Sequence, residues 1–147
     1  MDDIVSKAFI AGLLHDMGAL YLLTALQKIK RDNKIEQYPS EFVLNALIKK
    51  FHTEQGAQLL KHWNLPEPFI IIARDHHTDS FDQSDMLLVL IRLINRICKK
   101  MEKGNKKEAT AVIVACDEAN ILNLSELGIA EIEIGIEAAQ NKFKTLF

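Results

Sequence analysis

Four of the five histidines in the chain lie beside carboxylates or beside one another, in a pattern that suits metal binding. His15 precedes Asp16, His76 precedes His77, and His52 opens the segment His-Thr-Glu-Gln-Gly. Imidazole and carboxylate groups hold divalent first-row metals in proteins, and adjacent ligands at a helix end can enter one pocket. A metal ion held there could generate hydroxide for phosphoester hydrolysis. The candidate metal ligands are therefore His15, Asp16, His52, His76 and His77.

A structural role is the alternative for the same residues. A His-Asp pair at a helix end is more often a cap or a surface pair, and buried imidazoles often fix helix packing through hydrogen bonds. His62 is expected to be an ordinary helix residue. Its neighbour Trp63 is expected to anchor the core at the turn before Leu65 and Pro66.

The composition predicts helices to position these residues. Only 6 Gly and 3 Pro occur among 147 residues, which is about half the usual share of these turn formers. So few turn formers argue against a sandwich, a barrel or another many-stranded fold. The chain is 48% hydrophobic and 26% charged, as is typical of a soluble globular protein. We expect an all-α fold, a compact multi-helix bundle that forms one domain over residues 1–147.

Apolar periodicity and capping signals predict eight helices. They cover about residues 3–15, 19–31, 41–51, 54–63, 67–76, 85–103, 107–119 and 129–145. Gly18 is expected to separate the first two helices, and Ser40, Thr53 and Ser84 to cap later ones. Residues 129–136 also alternate as a strand would, but the length of the segment favours a helix. The last helix is expected to bury Ile132, Ile136, Ala139 and Phe143.

An apolar stretch at residues 8–26 is nearly long enough to span a membrane. Asp16 would then lie near the middle of the span, at a cost of about 2.5–3.5 kcal/mol. Two aspartates stand at the start of the chain instead of the basic segment of a signal peptide. We therefore expect two buried helices that meet at a polar corner, and no membrane. Cys98 and Cys116 are expected to be reduced, buried thiols of a cytoplasmic protein.

The charge of the chain gives little support to nucleic-acid binding. Eighteen basic and twenty acidic side chains leave a net charge of −2, which creates no field that attracts polyanions. Arg92, Arg96 and Lys99 lie on one helix face. This stripe is either an internal ion-pair set, if it is buried, or a contact for an acidic partner, if it is exposed.

Three motifs together resemble the HDOD domain, the HD-related output domain of bacterial signalling proteins, which is kin to the HD-GYP phosphodiesterases. They are A-G-L-L-H-D-M-G at residues 11–18, H-x3-G-A-x-L-L-x2-W-x-L-P at 52–66, and H-H at 76–77. Their order and spacing agree with the family over about residues 8–97. The resemblance implies an all-helical, HD-like domain that acts without hydrolysis.

Three departures from catalytic HD relatives point the same way. Those relatives carry a metal-binding histidine upstream of the His-Asp pair, whereas the fourteen residues before His15 contain none. They also supply an aspartate on the helix after the His pair, where this chain has Asn95, and no G-Y-P follows His77. The resemblance therefore implies a non-catalytic signalling or interaction module with an incomplete metal site and no cofactor. Its partners would be other signalling proteins or domains.

A metal-dependent phosphohydrolase of the HD superfamily is the alternative function. The five candidate ligands would then bind iron, manganese or zinc, with a bound hydroxide as the nucleophile. A further ligand would be needed from Asp79, Asp117 or another subunit.

The position of the motifs also suggests what surrounds them. HDOD domains normally begin with a helical half before the first motif, so we expect this chain to be the C-terminal portion of such a domain. Helices at about residues 107–145 would follow the motif region. The apolar surface of residues 8–30 would then need a partner, for which a second copy of the chain is one candidate.

Overall fold

The computed structural model describes residues 2–32, 37–102 and 111–145, which form helices and turns with no strand among them. The helices are α1 (Asp2–Leu14), α2 (Met17–Arg31), α3 (Glu41–His62), α4 (Glu67–Asp75), α5 (Met86–Glu102), α6 (Asp117–Ile121) and α7 (Glu126–Lys144). Residues 111–114 are helical as well. The predicted all-α class is confirmed. The chain divides into two compact units, Met1–Phe81 and Asp82–Phe147, here called the first and the second unit.

The first unit is built from α1 to α4. Helix α3 packs against α2 on one side and α4 on the other, and α1 contacts α4. The short helix α4 is almost wholly apolar and supplies much of the core, because Phe69, Ile70, Ile72 and Ala73 are all buried. Leu60 of α3 completes this core at 0% exposure.

Helix α3 is one helix of 22 residues where the sequence predicted two. The predicted cap at Ser40 is confirmed, since its hydroxyl accepts a hydrogen bond from the Val43 amide. The predicted cap at Thr53 is wrong. No proline interrupts residues 41–62, so the backbone continues through the helix past Thr53. His52 therefore lies in the middle of a helix and not at the end of one.

The corner between α1 and α2 lies at His15 and Asp16, two to three residues before Gly18, where the sequence placed it. Gly18 belongs to α2 and is buried there. The prediction that it breaks the helix is wrong, because this glycine serves a close helix–helix contact. The corner itself is polar, as expected.

Helix α1 is far more exposed than the sequence predicted. In the apolar stretch Asp3–Arg31, which α1 shares with α2, only 11% of an 18-residue window is buried, and Val5, Phe9 and Leu13 of α1 are each more than 60% exposed. Ala11 is the side chain that α1 buries completely. The expectation of two buried helices is therefore wrong. The large apolar side chains of α1 face away from the first unit, and α2 buries Gly18 alone, while its Leu20 and Tyr21 are 58% and 46% exposed.

One stretch within the described residues, Asp3–Arg31, is long and apolar enough to cross a membrane by length and composition alone. The corner at His15 and Asp16 divides it into two helices. A divided stretch with an ionised aspartate at its centre does not indicate a membrane protein.

The second unit has its own core around α5. Leu93 and Ile97 of α5 pack with Ile113, Ala119 and Ile129. Asp85 caps the N-terminus of α5, because its carboxylate accepts hydrogen bonds from the amides of Leu87 and Leu88. The predicted cap Ser84 bonds to Asp82 instead.

Helix α7 begins at Glu126, with Ser125 as its cap. Ile132 and Ile136 pack against the core as predicted, but Ala139 and Phe143 are exposed, so that part of the prediction is wrong. Part of the helix predicted at 107–119 lies outside the described residues. The described remainder turns at residues 115–116 before α6 begins.

Trp63 is half exposed and forms the C-cap of α3, so it does not anchor the core. The thiols of Cys98 and Cys116 are partly buried and are not joined by a disulfide.

Candidate metal site

Four potential metal ligands converge in the first unit. Asp16, His52, His76 and His77 each offer one ligand atom, and these atoms all lie within 4.8 Å of one another. His52 and His76 are buried, whereas Asp16 and His77 are exposed. The group therefore sits at the surface with one side open to solvent. It contains four of the five residues that the sequence nominated.

Three helices position these four side chains. Asp16 stands at the corner between α1 and α2, and His52 lies in the middle of α3. His76 is the C-cap of α4, and His77 follows it. The rings of His76 and His77 have their centroids 4.1 Å apart. Residues far apart in sequence thus meet because α3 packs between α2 and α4.

Backbone carbonyls hold three of the imidazole rings by their Nδ1 atoms. Each ring contacts a carbonyl oxygen three or four residues earlier on its own helix. The distances are 2.8 Å from His15 to Gly12, 2.9 Å from His52 to Ile48 and 3.0 Å from His76 to Ile72. Because a carbonyl only accepts, Nδ1 carries the proton, and in a neutral ring Nε2 is left with its lone pair. A backbone or carboxylate contact of this kind orients most histidines that bind metals.

The Nε2 atoms of the same three rings face the carboxylate of Asp16. His52 and His76 lie 3.5 Å and 3.4 Å from Oδ1, and His15 lies 3.3 Å from Oδ2. Nε2 of His76 is buried and makes no hydrogen bond within the described part of the chain. Two lone pairs that face each other repel until a proton or a cation lies between them.

The spacing of these atoms suits a metal ion. Bonds of about 2.0–2.1 Å to nitrogen and oxygen in a tetrahedral site place neighbouring ligand atoms about 3.3–3.4 Å apart. The separations between Oδ1 of Asp16 and Nε2 of His52 and His76, 3.5 Å and 3.4 Å, are close to this length. The residues present therefore fit a divalent ion, in both donor type and spacing.

Electrostatics favour the forms of these side chains that bind metals. A proton on the ring nitrogen of His15 that faces Asp16, and after it one on that of His76, stabilises the Asp16 carboxylate and holds its pKa well below the usual range. Burial lowers the pKa of His52, although the Ile48 carbonyl and Asp16 partly oppose this. At neutral pH Asp16 is therefore an anion and His52 a neutral imidazole.

His15 stands apart from the group of four. Its Nε2 faces the second oxygen of Asp16, so it orients the carboxylate from the other side. Asp79, the extra ligand that the alternative function required, is exposed and outside the group. Asp117 begins α6 in the second unit. His62 also lies outside the group, as expected of an ordinary helix residue.

The second unit buries charges of its own, and these charges pair. Glu118 is 1% exposed and contacts Arg92 at 2.9 Å and Arg96 at 3.2 Å. Burial opposes ionisation of Glu118, but hydrogen bonds and the two arginines outweigh it, so its pKa is lowered. Lys100 pairs with Glu133. Arg92 is thus part of an internal ion pair, the first of the two alternatives for the stripe. Arg96 and Lys99 are exposed, so the stripe as a whole is not buried.

Comparison with known proteins finds a family match over the part of the chain that contains the four potential ligands. A family model described as the HDOD domain matches residues 1–79, nearly the same residues as the first unit. An uncharacterized protein of Treponema pallidum (strain Nichols) is 31% identical over 81 residues, which cover 50% of this chain and 15% of that protein. The chain therefore spans only a small part of that relative. No solved structure matches the chain significantly.

Proposed function

The chain belongs to the HDOD domain family, and from that premise we propose that it is a signalling output module that works by binding and not by hydrolysis. In this proposal Asp16, His52, His76 and His77 hold one divalent metal ion. The observation that carries it is the geometry of this group, which converges on a single point. The described residues contain no second group of this kind.

The role of the metal follows from where its ligands stand. A bound divalent ion would supply positive charge between side chains from α2, α3 and α4. It would neutralise the Asp16 carboxylate and satisfy the buried Nε2 of His76. Bonds from three separate helices would join them, so the ion would stabilise the first unit.

The outward face of α1 supports a binding role. Val5, Phe9 and Leu13 recur at intervals of four residues on the same side of the helix, opposite the buried Ala11. Exposed apolar patches of this kind mark protein–protein contacts. We propose that an apolar surface of another signalling protein or domain, or of a second copy, covers this face in the cytoplasm.

A metal-dependent phosphohydrolase is the second candidate function, and the open side of the site favours it. Asp16 and His77 are exposed, so a phosphoester could approach an ion held by the group. The ion would supply a Lewis acid and an activated water. Two observations count against this second function. The group has only one anionic ligand, and Asn95 stands where the resemblance calls for an aspartate.

A turnover assay separates the two functions. The metal-free protein is loaded anaerobically with Fe²⁺ or Mn²⁺ and incubated with cyclic dinucleotides and a model phosphodiester. We expect about one metal ion per chain, and no turnover above that of the Asp16→Asn variant. Turnover that Asp16→Asn abolishes, and that the control His62→Ala retains, would establish the phosphohydrolase and contradict the non-catalytic module.

A further inference from the structure

The backbones of α2 and α3 approach most closely at two glycines. A Cβ atom added at Gly18 would lie 1.9 Å from the carbonyl oxygen of His52 and 2.5 Å from the amide nitrogen of Gly56. A Cβ atom added at Gly56 would lie 3.3 Å from the amide nitrogen of Gly18. Both glycines are buried. No other residue type fits at position 18 without separating the two helices.

This contact involves the same turns of helix that carry two of the metal ligands. Gly18 follows Asp16 by two residues and touches the backbone of His52 itself. Gly56 lies one helical turn after His52. The separation of the helices at the glycines therefore sets how far the Asp16 carboxylate stands from the His52 ring.

The third ligand helix meets the same point. A Cβ atom on Gly56 would lie 3.7 Å from the Cβ atom of Ala73 on α4. Ala73 is fully buried, and its carbonyl oxygen lies 3.0 Å from Nδ1 of His76. Small residues thus bring all three ligand-bearing helices together beside the buried, unpaired Nε2 of His76.

We propose that Gly18 and Gly56 are positioning residues of the metal site, a role that rests on the metal binding proposed above. Their backbone contact holds Asp16 and His52 at the spacing that one ion requires. Metal–ligand distances tolerate deviations of only about 0.2 Å. A methyl group at position 18 forces the helices apart by more than that, because real Cβ contacts essentially never fall below 3.0 Å. A methyl group at position 56 requires a shift of a few tenths of an ångström.

Substitution by alanine tests this role with a control of the same chemistry. Gly135 is a helical glycine at which an added Cβ atom would meet nothing within 4 Å, and it lies in the second unit, away from the site. The variants Gly18→Ala, Gly56→Ala and Gly135→Ala each add one methyl group to the chain. Each metal-free protein is titrated with Co²⁺, whose visible absorption reports affinity and coordination geometry. Circular dichroism and thermal unfolding report the fold.

We expect the wild type and the control Gly135→Ala to bind one Co²⁺ with equal affinity and identical spectra. Gly56→Ala should keep its helical signal but bind Co²⁺ at least tenfold more weakly, with altered visible bands. Gly18→Ala should lose at least a hundredfold in affinity. Gly18→Ala is more prone to misfold than Gly56→Ala. If Gly18→Ala misfolds, the result for Gly56→Ala decides the outcome.

Two results would overturn the role. If Gly56→Ala folds and binds Co²⁺ with the affinity and visible spectrum of the wild type, the glycines serve helix packing and do not position the metal ligands. This holds whatever the thermal stability of the variant. Failure of the wild type itself to bind Co²⁺ would contradict the metal site as well as its positioning. The two failures are distinguished by the behaviour of the wild type.

Discussion

The two units treat their buried polar groups in opposite ways. In the second unit, Glu118 is enclosed with Arg92 and Arg96, so opposite charges meet within hydrogen-bond distance. In the first unit, His52 and His76 are buried around one carboxylate, and Nε2 of His76 has no hydrogen bond among the described residues. Glu118 thus faces cations of its own unit, whereas Asp16 faces imidazoles. Oε2 of Glu118 and Nδ2 of Asn95 in the second unit, like Nε2 of His76 in the first, make no hydrogen bond among the described residues.

That difference separates a structural network from a functional site. A buried ion pair that is complete within the chain requires nothing from outside, and its loss is a loss of stability. Acceptor atoms that converge without a donor require a proton or a metal ion to complete them. The family match lies on the first unit, which also holds the incomplete group. Four predictions test this contrast, in order of decreasing expected effect.

The largest effect is expected from removal of the buried carboxylate in the second unit. Glu118→Ala removes the carboxylate that pairs with the buried guanidinium of Arg92. Breaking a buried ion pair in this way costs about 3–5 kcal/mol of unfolding free energy. Urea unfolding followed by circular dichroism measures the loss. The control Glu137→Ala removes an exposed glutamate and should change the free energy by less than about 0.5 kcal/mol. Equal effects of both substitutions would contradict a structural role for the Glu118 network.

The next effect concerns metal affinity in the first unit. Asp16→Asn removes the one anionic ligand of the group while keeping the shape of the side chain. We expect Co²⁺ affinity to fall at least a hundredfold, or about 2.7 kcal/mol at 1.36 kcal/mol per factor of ten. Asp79→Asn is the matched control, since Asp79 is exposed and outside the group. Unchanged binding in Asp16→Asn would show that the ion, if one binds, sits elsewhere.

A smaller effect is expected from pH in the metal-free protein. The pKa of His52 is lowered in the folded state, so the unfolded chain takes up a proton at this residue first as the pH falls below about 6.5. Stability should therefore decline between pH 7 and pH 5. The pKa of Asp16 is also lowered, so its carboxylate stays ionised throughout this range.

Thermal unfolding across this pH range measures the decline. His52→Gln should flatten the profile, and the exposed control His62→Gln should not. If thermal stability falls as steeply with pH in His52→Gln as in the wild type, protonation of His52 is not the cause of the decline.

The smallest effect on stability is expected on the outward face of α1. Phe9→Glu replaces a side chain that is 67% exposed, so its effect on the unfolding free energy should stay within about 0.5 kcal/mol. We expect the wild type to self-associate weakly through this face at high concentration, and Phe9→Glu to abolish that association. Sedimentation velocity detects it, with Leu127→Glu as the control, because Leu127 is an equally exposed side chain of the second unit. Self-association that survives Phe9→Glu would contradict the assignment of this face.

The sequence predicts local structure well and helix–helix contacts poorly. The helical class and the cap at Ser40 are confirmed, and a capping signal lies within four residues. The predicted cap Ser84 is wrong by one residue, since Asp85 caps α5. Gly18 also resembles a local signal, a helix breaker, but it serves a contact with α3, 38 residues away at Gly56. Thr53 shows the same limit, since a capping residue type also occurs inside a helix when the following residues continue the helical backbone.

The candidate site was predictable by residue type but not by geometry. The motifs nominate Asp16, His52, His76 and His77, which the structure brings together. The fifth predicted ligand, His15, faces the other carboxylate oxygen of Asp16, because its ring is held by the carbonyl of Gly12. No pattern in the sequence reports which oxygen of Asp16 a ring faces, since that depends on how α2, α3 and α4 pack.

Equilibrium titration of the metal-free protein with Co²⁺ tests the central claim most directly. We predict one Co²⁺ per chain in the wild type and in His62→Ala, and no specific binding in His76→Ala. A wild type that binds no Co²⁺, or a His76→Ala protein that binds it as tightly as the wild type, would contradict the metal site.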